Sequence, residues 1–112
     1  MIQTIKHKNL IFGYIISYKK RNGVNFLTPL NLTHQIGAIS HKKNHNILPH
    51  LHLKNNRKIH YTSEVLIIKK GKMRVDLYSN KKKYLFSKIV IKDDILILIK
   101  GGHGFKILEP TD

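Results

Sequence analysis

His50 and His52 stand one residue apart in the run Pro49-His50-Leu51-His52. On an extended strand, residues two apart project to the same face. Two imidazoles placed that way can chelate one metal ion with little rearrangement. With eight histidines in the chain, the same pair also fits a chance placement on an exposed edge strand. Three features favour the metal reading. Glu64 is one of only six acidic residues and heads the apolar run Val65 to Ile68. A carboxylate there costs free energy unless it is exposed, paired or coordinated. His103 follows Gly101-Gly102, whose glycines allow positive φ and a close backbone approach as the chain enters a strand. All these residues flank the most strand-like part of the chain. No cysteine is present, so a metal would be held by nitrogen and oxygen alone.

The elements that must position these residues read as short strands. No apolar stripe of helical period holds for three turns, and turn residues recur throughout. The expected strands are Leu10 to Ser17, Gln35 to Ser40, Ile47 to Leu53, Glu64 to Lys69, Met73 to Tyr78, Tyr84 to Val90, Ile95 to Ile99 and His103 to Leu108. Met73, Val75 and Leu77 alternate with Arg74, Asp76 and Tyr78, the pattern of a strand with one buried face. The strands opening at Glu64 and Ile95 are apolar on both faces and are expected to be buried on both. In so short a chain, that favours two stacked sheets or a filled barrel. At 112 residues the chain is read as a single domain, 1–112, with residues 1–9, including His7, as a flexible tail. Lys19 to Asn25 is expected to form a loop.

The formal net charge is +15. That points to an anionic partner: nucleic acid, a membrane surface, or a phosphorylated or carboxylated ligand. The plainer reading is an AT-rich coding sequence that fills solvent-facing sites with lysine. The basic residues are scattered over turns, with no basic helix, RNA-binding aromatic motif or zinc-finger spacing, which argues against nucleic acid as the main partner. Leu10 to Ser17 is too short to span a bilayer and is followed by Lys19-Lys20-Arg21 rather than a cleavage site. No membrane association is expected, and the expected location is the cytoplasm.

Taken together, His50, His52, Glu64 and Gly71, followed by Asp94 to His103 with its glycine turn, resemble the two motifs of the cupin family. The resemblance covers Gln35 to Leu108. It implies an all-β fold, a cupin-type double-stranded β-helix or jelly-roll barrel of two stacked antiparallel sheets. It further implies one divalent metal ion, Fe, Mn, Ni or Zn, held by His50, His52, Glu64 and His103. Thr62 to Leu66, Arg74 to Tyr78 and Gly101 to Phe105 are similar to segments of small cupins that accompany sugar-nucleotide and surface-polysaccharide pathways. Several positions depart from the pattern. Eleven residues separate His52 from Glu64, a longer spacer than the family's, so residues 54–62 are expected to extend the barrel mouth. Asp93 stands where the family has glycine, and Ile107 where it has asparagine. Relatives continue into another strand beyond the position of Asp112, so an open edge is expected where that closing strand would lie.

Other residues carry alternatives. Glu64 is either a ligand or an ion-pair partner of Arg57 or a lysine, with His60 as a substitute ligand. Arg57 is either a two-toothed grip on phosphate or carboxylate at the mouth or a solvated loop residue. Tyr61, Tyr78 and Phe105 either pack or contact ligand, and Phe105 shares a face with His103 if that strand is regular. His34, His41 and His45 are expected to face solvent. The resulting expectation is a metal-binding cupin acting on a small anionic carbohydrate-like molecule, of isomerase, epimerase or oxygenase type. The alternative is a non-catalytic sugar-binding or regulatory module. Pairing through an edge strand into a homodimer is a further expectation.

Overall fold

The computed structural model describes residues 1–17 and 19–112. The chain divides into two compact units, one of Met1–Tyr18 with Tyr61–Asp112 and one of Lys19–His60.

The first unit is all-β and antiparallel. Its strands are β1 (Ile2–His7) and β2 (Leu10–Ser17), then, after the second unit, β5 (Glu64–Ile67), β6 (Lys72–Tyr78), β7 (Tyr84–Ile91), β8 (Asp94–Leu98) and β9 (Gly102–Glu109). A four-stranded sheet runs β1-β2-β8-β5, and a three-stranded sheet runs β7-β6-β9. The two share one core. Ile5, Phe12, Ile15, Leu96 and Leu98 come from the first sheet, and Met73, Val75, Leu77 and Val90 from the second. The alternation read at Met73, Val75 and Leu77 is the inward face of β6. Phe12 is the extra residue of a β-bulge: Ile5 pairs with Gly13 and Lys6 with Ile11, which leaves Phe12 unpaired and fully buried. Tyr14, Ile16 and Ile97, on the opposite face of the first sheet, are buried as well, so the apolar run of β8 is covered on both sides. No closed barrel forms among the described residues.

The chain ends are tied down. The Met1 ammonium donates to the Ser17 carbonyl at 2.9 Å, and the amide of Lys69 donates to the carbonyl of Asp112 at 2.8 Å. Gly71, at φ +86°, turns against this C-terminal segment. A Cβ there would sit 2.1 Å from the Pro110 carbonyl oxygen, so only glycine fits.

In the second unit, β3 (Gly23–Phe26) and β4 (Gly37–Ser40) form a two-stranded ribbon, and residues 41–60 carry no strand. Among the described residues no helix is long and apolar enough to cross a membrane.

Four local expectations are corrected. Residues 2–7, read as a flexible tail, form β1, because Ile5 is fully buried and every position from Ile2 to His7 has a partner on β2. Residues 23–26, read as a loop, pair with residues 37–40. Residues 47–53, read as a strand, form none. Pro49 lacks a donor, and Leu48, Leu51 and Leu53 remain exposed, so no buried face holds the segment in a ladder. β5, expected to be covered on both faces, lies at a sheet edge with Val65 48% and Ile67 60% exposed.

Candidate metal centre

Glu64 and His103 come from different sheets and meet at one end of the core. Glu64 pairs with Leu98, and His103 with Leu77. Antiparallel partners project to the same face, and Leu77 and Leu98 are core residues. Both site side chains are therefore on the inward side, at the open margin where β5 and β9 are edge strands. The Nε2 atom of His103 lies 3.1 Å from Oε2 of Glu64, with side-chain exposures of 29% and 53%. The sequence offered Arg57 or a lysine as an ion-pair partner for Glu64; the structure places the imidazole of His103 beside it.

Gly101 sets the entry of His103. Its φ is +86°, and a Cβ would lie 2.3 Å from the ring of Phe12, so the core aromatic packs directly on the glycine backbone. The Phe105 ring centroid stands 5.5 Å from that of His103, and the register of β9 puts both on one face, as expected for a regular strand. Tyr61 is exposed, and the Lys100 ammonium sits 5.6 Å from its ring centroid, a cation–π contact.

His50 and His52 belong to the second unit. Their ring centroids are 5.5 Å apart, and Nδ1 of His50 lies 3.1 Å from the Leu48 carbonyl oxygen. His60 is exposed in the same irregular stretch. Arg57 lines a pocket of about 360 Å³ with Asn31, Asn55, Asn56 and Lys58. Its Nη1 donates to the carbonyls of Leu32 and Thr33 at 3.2 and 3.4 Å, so part of the guanidinium ties its stretch to the connection between β3 and β4. Among the described residues no three His, Cys, Asp or Glu side chains are gathered as a metal-holding group.

The outer face of the three-stranded sheet carries a polar network that the sequence reading did not single out. Arg74 grips Asp76 through two bonds of 2.7 and 3.0 Å; Ser87 donates to Asp76, and Tyr84 lies 2.9 Å from Ser87. The Arg74 hydrogen bonds, then that of Ser87, hold the Asp76 carboxyl below its ordinary value, and Arg74 is raised in turn. The available signal was opposite charge at positions two apart on a strand.

Comparison with models of known families, with curated proteins and with solved structures returned no match.

Proposed function

We propose that this is a metal-binding protein of cupin type whose ligand is a small anionic carbohydrate-like molecule. The observation that carries the reading is the contact between Glu64 and His103, an oxygen and a nitrogen donor 3.1 Å apart on the inward side of two stacked sheets. This donor set fits a borderline divalent ion such as Fe, Mn, Ni or Zn. The sequence spacing adds His50 and His52 as the remaining ligands. A bound ion would supply Lewis-acid polarisation of a substrate oxygen. The protein's own groups do the rest: Phe105 offers an apolar wall beside His103, and Lys100 with Tyr61 offers a cation and a ring face to an anionic sugar.

The test is metal content. Untagged protein, analysed by plasma mass spectrometry, should hold about one divalent ion per chain, as a single site of this type would. That ion should be lost in His103→Ala, in Glu64→Gln, and in His50→Ala with His52→Ala. Retention of metal in the first two variants would remove the proposed centre. Metal-free protein in which a sugar phosphate shifts the amide signals of Tyr61 and Phe105 would instead make it a binding module.

A further inference from the structure

The second unit contains all of its charge with one sign. Residues 19–60 hold eight Lys and Arg, six of the eight histidines, and no Asp or Glu. All six acidic residues lie in the first unit. Part of this uncompensated charge is gathered around a pocket of about 440 Å³ lined by Lys20, Lys42, His41 and His45. Asn22, Ser40 and the backbone of Gly23 complete it.

Local structure explains the gathering. Gly23 pairs with Ser40 at one end of the β3–β4 ribbon, so the segments on either side, Lys20 to Asn22 and His41-Lys42, leave the ribbon together. The amide of His45 then donates to the Lys42 carbonyl at 3.3 Å, with Asn44 at φ +70°. That turn folds His45 back onto His41, and the rings stack with centroids 3.7 Å apart and planes 9° from parallel. Gly23, at φ +80°, has open space where a side chain would be, which leaves its backbone accessible.

We infer that this pocket binds the phosphate group of a small phosphate monoester. Two ammonium groups, two imidazoles, a hydroxyl and a carboxamide supply donors to the oxygens of a dianion, and no carboxylate in the lining opposes it. Charge-assisted bonds of this kind are the stronger class, and lysine binds phosphate as a point charge. The volume is that of a small-molecule site, within the range of roughly 300–1,000 Å³. The inference rests on residues separate from Glu64 and His103 and does not depend on a metal.

The experiment is an amide-resolved NMR titration of the full chain at constant ionic strength. The probes are inorganic phosphate, glucose 6-phosphate, glucose, and a short single-stranded oligonucleotide. Saturable shifts confined to residues 20–23 and 40–45 are expected with phosphate and glucose 6-phosphate, competing for one site, and none with glucose. Lys20→Gln with Lys42→Gln should weaken binding by about tenfold or more, while Lys81→Gln with Lys83→Gln should leave it unchanged. Shifts that never saturate, or an affinity that the first pair leaves intact, would overturn the site. Tighter binding of the oligonucleotide, spread over all eight cations and lost steeply with salt, would overturn it in favour of a nucleic-acid interface. Neither failure touches the metal-content test.

Discussion

Glycine at position 101 couples the core to the candidate centre. The ring of Phe12, fully buried, occupies the space a Cβ would need, and the φ of +86° would strain most side-chain-bearing residues. Gly101→Ala should therefore cost about 1–3 kcal/mol in stability, read as a lowered urea midpoint, and should move the His103 ring signals. An unchanged midpoint would show that Phe12 gives way freely. On the other face of the sheet, Asp76 supplies a pH effect. Its carboxyl sits below the ordinary value of 3.8 because Arg74 and Ser87 hydrogen-bond it. A depressed carboxylate stabilises the fold above its unfolded value, and that contribution is lost as pH falls through the folded value. Stability should drop on acidification below about 3.8. Asp76→Asn should be less stable near neutrality and lose less across the same window. Parallel unfolding curves for the two proteins would contradict this.

Among the elements, position in the sheet sets persistence. β2 and β8 are flanked by strands on both sides, whereas β5 and β9 have a partner on one side only. Amide hydrogen exchange should be slowest in Phe12 to Ile16 and Leu96 to Leu98 and faster in Val65 to Ile67 and along β9, since exposed ladder bonds open at lower cost. Equal protection throughout would mean that both edges are covered in solution. The strongly patterned elements were legible in the sequence. β6 shows strict alternation, and β8 is an unbroken apolar run buried on both faces. β1 was not legible, because Lys6, His7 and Lys8 mask a strand whose inward anchor is Ile5. β3 was hidden by its Lys, Asn and Gly surroundings. Residues 47–53 misled in the opposite direction, showing a period of two with no buried surface to enforce it. The residues named for the candidate site differ in the same way. Glu64 and His103 are carried by strands whose registers place them on the inward face, while His50 and His52 lie in irregular chain whose path spacing alone does not encode.

For the whole molecule, the distribution of charge matters more than its total. The second unit has no internal counter-ions, whereas the first holds every carboxylate, among them Asp94, buried and receiving the Ser17 hydroxyl at 2.8 Å and the Ile91 amide at 3.0 Å. The unpaired rims of β5 and β9 add a second property of the whole. On β9, Phe105 and Ile107 belong to the core-facing side yet stay 41% and 56% exposed. Bare backbone beside greasy side chains is the template on which another chain's strand can be laid. With a net charge of +15, copies repel one another at low ionic strength; at physiological salt that repulsion reaches only about 8 Å. Light scattering should therefore climb as sodium chloride is added and stay flat for Ile107→Lys. What keeps these molecules apart in dilute buffer is the scarcity of screening ions as much as their own architecture, and brine is the condition in which they should begin to stick.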